Sequence, residues 1–192
     1  GVSVDFKDQI VFDAMSGKCG ILSENGTERI PAIYDHLQPK EDLIFFGYGG
    51  YDYDDYSSFF SNITGAIWGC LNSEGRIIVP PKYDCLEIRG DYVLAGRDGS
   101  MLFIDEITYA RDYSGVYDLY SKSGELLIGG FNTFEFIEEQ KLFKFFFGGT
   151  WKHTSELIDE WNGIYHNSYH FEEGMGRWII TDLELKSIKL TK

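Results

Sequence analysis

The sequence predicts an all-β chain of stacked antiparallel β-hairpin repeats, a curled meander or propeller-like array with at most one short helix. Three observations carry this reading. The 192 residues include 13 Tyr, 15 Phe, 4 Trp and 22 Gly but 4 Pro, a composition of strands separated by glycine turns. The apolar pieces, such as Ile77-Ile78-Val79, Tyr92-Val93-Leu94-Ala95 and Met101-Leu102-Phe103-Ile104, are short, β-branched or aromatic, and bounded by Gly, Asp or Pro. One pattern also recurs along the chain: Gly26, Gly75 and Gly124 close three similar segments at a spacing of 49 residues.

Taken in order, the segments are Cys19-Gly20-Ile21-Leu22-Ser23-Glu24-Asn25-Gly26, Trp68-Gly69-Cys70-Leu71-Asn72-Ser73-Glu74-Gly75 and Tyr117-Asp118-Leu119-Tyr120-Ser121-Lys122-Ser123-Gly124. Each places Ser or Asn first and Gly last in a tetrad, the residues a type I turn closed by a left-handed position demands. Pro31/Pro80, Tyr34/Tyr83, Asp35/Asp84, Leu37/Leu86 and Gly47/Gly96 keep the same offset, whereas Gly148 lies 52 residues after Gly96 and implies a three-residue insertion in the third copy. Pro31, Pro80 and Pro81 lack an N–H and belong at a strand end or edge. Gly99 to Asp105 weakly echoes the motif, an eroded second hairpin module. The repeats are read as 11–64, 65–114 and 115–175 of one domain over 1–192, with Gly176 to Asp182 opening a degenerate cap at 176–192. Thr154 to Trp161 is the one candidate helix, with Thr154 or Ser155 as cap and Gly163 beyond it. The expected core is Ile21, Ile33, Tyr34, Ile67, Trp68, Ile78, Tyr83, Leu94, Phe103, Leu127 and Phe145.

Trp68-Gly69, Gly75, Ile77-Ile78-Val79-Pro80 and Tyr83-Asp84 together resemble the WG-repeat family of bacterial β-repeat proteins. The first copy has Cys19 in place of Trp, and the third has Tyr117-Asp118 in place of Trp-Gly and no Pro. The resemblance implies stacked antiparallel hairpins with a binding or scaffolding role, and it carries over no catalytic residue. Trp-Gly also has a physical reading: a strand glycine leaves bare backbone that an aromatic ring on a neighbouring strand covers.

Lys+Arg 17 against Asp+Glu 31 gives a net charge of −14, which repels phosphate backbones and anionic lipid, so nucleic acid is not the expected partner and an electrostatically steered partner is basic. Cys19, Cys70 and Cys85 form no closed set of pairs and no Cys-x-x-Cys, and they read as small buried hydrophobes. No run reaches the ~20 apolar residues of a membrane span. The chain starts at Gly1 without a basic and apolar leader, leaving the cytoplasm and export after removal of a leader both open. Oligomeric state is not readable.

The distinctive insertion is Tyr48-Gly49-Gly50-Tyr51-Asp52-Tyr53-Asp54-Asp55-Tyr56. Its tyrosines offer large amphipathic contact area, making Tyr51, Tyr53, Asp54 and Tyr56 the candidate partner-binding residues. Two alternatives share this loop: Asp52, Asp54 and Asp55 offer hard oxygens for Ca²⁺ without the distal Glu of a chelating loop, and the rings suit a sugar. His166, His170, Glu172 and Glu173 would suit a metal on a helix, but in strand composition residues i and i+4 stand about 13 Å apart. No nucleophile elbow, phosphate loop or Cys-His pairing occurs. The expected function is therefore a non-catalytic binding or scaffolding module for a protein partner, without cofactor or metal; an unrecognised hydrolase is the second alternative.

Overall fold

In the computed structural model of the chain, residues 9–52, 63–99, 101–105, 110–137, 139–159, 164–182 and 184 are described, and no helix occurs among them. The chain is all-β, in antiparallel sheets. Of Thr154 to Trp161, expected as a helix, residues 154–159 instead belong to the strand Thr150–Asp159, which pairs antiparallel with Ile164–Glu172, while Glu160 and Trp161 lie outside the described residues. Cross-strand pairing there wins over the weak 3.6-residue pattern of a two-turn segment.

Each repeat contributes to two sheets. The first sheet runs in the order Gln9–Phe12, Cys19–Leu22, Glu28–Tyr34; the second His36–Lys40, Leu43–Tyr48, Ile67–Asn72, Ile77–Tyr83; the third Cys85–Arg89, Tyr92–Arg97, Val116–Ser121, Leu126–Phe131; the fourth Thr133–Ile137, Leu142–Phe147, Arg177–Thr181. A sheet ends on the strand that carries Pro in the first two copies and Gly129-Gly130 in the third, the chain bends at Asp35, Asp84 or Asn132, and a new sheet begins. By contact density the chain forms two compact units, 1–95 with 120–126 and 96–119 with 127–192.

The tetrad turns have one geometry. Gly26 N–H donates to Ser23 O at 2.8 Å, Gly75 to Asn72 O at 3.0 Å and Gly124 to Ser121 O at 3.0 Å. The glycines lie at φ 78°, 80° and 95°, where a side chain would clash with its own backbone. The amide that follows each tetrad also donates to a side chain within it: Thr27 N–H to Asn25 Oδ1, Arg76 N–H to Asn72 Oδ1 and Glu125 N–H to Ser121 Oγ.

In the first unit the second sheet is buried on both faces. Leu43, Phe45, Trp68, Cys70, Val79 and Tyr83 join one cluster, while Ile44, Phe46 and Leu71 join another with Cys19, Ile21, Ile30 and Tyr34. That is why Leu43 to Gly47 is buried throughout, where a one-sided hairpin would alternate. Tyr83 and Tyr120 bury their hydroxyls against each other at 2.7 Å, so neither polar group is stranded. In the second unit Phe131 is fully buried and packs on Tyr117, Phe134 and Phe145.

Two expected core positions are exposed: Ile33 at 50% and Ile67 at 50%. Ile33 lies in a bulge, because the residues between Ile30 and Tyr34 oppose only Gly20; Ile67 pairs with Tyr48 at a strand start, and alternation turns Trp68 inward instead. Leu127 is half-buried, and the Phe103 side chain lies outside those described. The third copy does not carry its extra length as one three-residue insertion. Leu126–Phe131 has 6 residues against 7 in Glu28–Tyr34 and Ile77–Tyr83, and the turn after Ile137 is longer than the turn after Lys40. Thr133 thus faces Phe146 where His36 faces Gly47, and Gly148 takes the place of Gly49.

Register explains Trp-Gly. Gly47 faces Trp68 and Gly69 faces Phe46, and each ring lies over the opposite glycine: a Cβ on Gly47 would stand 3.2 Å from Trp68 Cε3, and one on Gly69 2.5 Å from Phe46 Cζ. Gly69 is also approached by the bulge holding Pro80 and Pro81, with Val79 O 2.9 Å from such a Cβ. In the third copy the glycine has changed strand. Asp118 stands at this position, and Gly129-Gly130 replaces Pro, with a Cβ on Gly129 only 2.6 Å from Asp118 Oδ1.

Candidate functional site

Hairpins at one repeated position form the candidate site. The chain leaves the strand Leu43–Tyr48 for Tyr51–Asp52 paired with Ile63–Thr64. After Tyr92–Arg97 it forms Met101–Asp105 paired with Ala110–Tyr113, and after Leu142–Phe147 it forms Thr150–Asp159 paired with Ile164–Glu172. Within the segment that echoes the motif, Met101–Asp105 is a strand of this second hairpin. Met101–Asp105 also runs beside Ile164–Glu172 of the third hairpin.

The exits are built from the Tyr-Asp corner. Asp35 Oδ2 accepts from Gly49 N–H at 2.8 Å and Asp35 Oδ1 from Lys18 Nζ at 2.6 Å, while His36 Nε2 meets Gly49 O at 2.8 Å. Lys18 and the Gly49 amide hold the Asp35 carboxyl below the usual aspartate range. Asn132 does the same for the third hairpin, accepting from Gly148 N–H at 2.9 Å and Gly149 N–H at 3.0 Å. Gly49 and Gly148 lie at φ 67° and 91°, and Asp98 takes the equivalent turn at φ 62°, its carboxylate on Arg97 Nη1 at 2.7 Å. The buried ring of the motif, Tyr34, Tyr83 or Phe131, anchors the corner, and the polar residue after it in the first and third copies clamps the exit.

Asp35→Ala is expected to cost about 1 kcal/mol, one hydrogen bond and a half-exposed ion pair. Because the folded carboxyl titrates below the unfolded one, its contribution is full above roughly pH 3.9 and is lost as pH falls through the lower folded value. Urea denaturation of Asp35→Ala should accordingly converge on wild type in strong acid, and faster amide exchange at Gly49 should accompany the loss near neutrality.

The third hairpin is fastened at its root. Phe171 covers Gly149 and packs on Trp151 and Phe146 at ring distances of 5.4 and 5.6 Å. Lys152, Thr154, His170 and Glu172 are exposed, with His170 Nε2 3.4 Å from Glu172 Oε1. Register places His166 opposite Glu156 and His170 opposite Lys152, so the two histidines are not brought together. No group of three His, Cys, Asp or Glu gathers into a metal site among the described residues. Cys19 and Cys70 are buried and Cys85 half-buried; burial pushes the Cys70 thiol up to about 12.

Of the candidate binding residues, Tyr51 lies in the backbone of the first hairpin, whereas Tyr53, Asp54 and Tyr56 lie outside the described residues. The reading from sequence missed that all three copies carry an insertion here. The available signal was the surplus length between Gly47, Gly96 or Phe146 and the next repeat start. Among the described residues, no helix is long and apolar enough to cross a membrane. Comparison with known proteins returned no match: no family model, no curated protein and no solved structure matches the chain.

Proposed function

We propose that this chain is a non-catalytic binding or scaffolding module of WG-like β repeats that engages a basic protein partner through its inserted hairpins. The observation that carries this reading is their recurrence: each repeat interrupts its sheet at the same point with an antiparallel hairpin, fixed at its root by Asp35 and Gly49 in the first copy and by Asn132 and Gly148 in the third. Repeat residues are committed to stacking, and the insertions are where sequence is free to vary. The net charge of −14 favours a basic partner through long-range steering.

The test is capture from native lysate by wild type and by Tyr51→Ala/Tyr53→Ala/Tyr56→Ala. A partner retained by wild type, reduced at least tenfold by the triple variant and weakened at high salt is the expected result. Salt-insensitive capture removes the basic-partner element. Saturable glycan binding lost on chelation, without any protein partner, replaces the reading with a calcium-assisted carbohydrate-binding one.

A further inference from the structure

We infer that the outer edge of the strand Gln9–Phe12 is a strand-addition site for an extended basic peptide with apolar residues at alternate positions. This surface is distinct from the inserted hairpins. The register identifies what belongs there. Gln9, Ile10, Val11 and Phe12 pair with Leu22, Ile21, Gly20 and Cys19, and the residues 49 on from those partners, Leu71, Cys70, Gly69 and Trp68, pair with Ile44, Phe45, Phe46 and Gly47. Gln9–Phe12 thus occupies in the first sheet the place of Ile44 to Gly47 in the second. There the other edge of the strand is filled, with His36, Leu37, Gln38 and Pro39 opposite Gly47, Phe46, Phe45 and Ile44. In the first sheet the order ends at Gln9–Phe12 among the described residues.

Exposure agrees with the open slot. Phe45 is 6% exposed, but Ile10, at its equivalent position, is 49% exposed and Phe12 is 68% exposed. Directly opposed residues share a sheet face, so Ile10 and Phe12 extend the apolar row begun by Ile21 and Cys19. An added strand continues that row only if its residues opposite Ile10 and Phe12 are apolar, while its backbone supplies the ladder. Charge chooses the remainder: Asp13 follows the strand, Glu24 flanks Gln9 around a shallow hollow, and the chain carries −14. Lysine or arginine therefore suits the intervening positions, and mutual repulsion disfavours a second copy as occupant.

The probe is a fluorescein-labelled Lys-Val-Lys-Ile-Lys-Val-Lys peptide followed by anisotropy, beside a control with Pro in place of Ile. The expected result is control binding at least tenfold weaker, slowed amide exchange over 9–12 on adding the peptide, and at least tenfold loss in Ile10→Lys/Phe12→Lys with unchanged thermal unfolding. Equal binding of both peptides, or of the double variant, overturns the inference. So does exchange over 9–12 that is equally slow without peptide, which would mean the chain fills its own edge, and so does concentration-dependent dimerisation through this strand. Tyr51→Ala/Tyr53→Ala/Tyr56→Ala should keep the peptide; losing it assigns the peptide to the hairpin and leaves the proposed function standing without the edge site.

Discussion

Gly69→Ala is expected to destabilise the first unit by roughly 2–4 kcal/mol, although it adds one methyl group. The added Cβ would stand 2.5 and 2.8 Å from Phe46 Cζ and Cε1 and 2.9 Å from Val79 O. Phe46 is fully buried against Tyr34 and within the cluster of Ile21, Ile44 and Leu71, so its ring has no free volume to swing into. Val79 O belongs to the paired strand and yields only if the register yields. Phe46→Ala alone should cost about 3–5 kcal/mol by cavity formation. The informative variant is the double one: with the ring gone most of the clash is gone, so Phe46→Ala/Gly69→Ala should cost little more than Phe46→Ala. Guanidinium denaturation of the four proteins closes the cycle. Additive losses would show that Gly69 is required for the Pro80-Pro81 bulge alone. The sequence already contains the compensated pair, since 49 residues on Ala95 and Asp118 stand in the places of Phe46 and Gly69.

That exchange shows why the repeat was legible and its third copy only partly so. Period and turn chemistry are local: Ser23 to Gly26 and its two equivalents carry their geometry in four residues, and the turn hydrogen bonds formed as expected. The corner is not local. Asn132 serves the third copy as Asp35 serves the first, but a one-residue shortening of the preceding strand moves it out of the 49-residue frame. The helix expected over Thr154 to Trp161 failed for the same kind of reason: the structure of 154–159 is decided by the partner strand Ile164–Glu172, and no residue within the segment announces that partner. Burial followed the same division. Tyr34, Trp68, Ile78, Tyr83 and Phe145 are in the core as expected, while Ile33 is turned out by a bulge that only the paired register reveals. As for the site, composition places Tyr51 in an insertion loop after the first copy, but that the insertion is a hairpin and that it recurs depend on where each sheet is interrupted.

Arg97→Ala is expected to cost roughly 2–4 kcal/mol, more than its half-exposed position suggests. Its Nε and Nη2 meet Asp118 Oδ2 and Oδ1 at 3.0 and 3.3 Å, a two-point contact that fixes the carboxylate plane. Asp118 is only 3% exposed and also accepts the Gly130 N–H at 2.9 Å. Removing the guanidinium leaves a carboxylate in a site with little access to water, and that residual charge, more than the lost attraction, sets the cost. Arg97→Lys should recover only part of it, because an ammonium cannot span both oxygens. Asp118→Gly restores the residue that the first two copies hold at this position, so Arg97→Ala/Asp118→Gly should be more stable than Arg97→Ala. Thermal denaturation of the single and double variants decides the matter. A double variant no better than Arg97→Ala would mean that Asp118 works chiefly by holding Gly130, whose φ of 78° opens the turn that replaces the proline bulge. In that case the Asp118→Gly change should itself carry most of the loss, and the ion pair would be an accessory to a backbone clamp of the kind Asp35 and Asn132 provide at the hairpin exits.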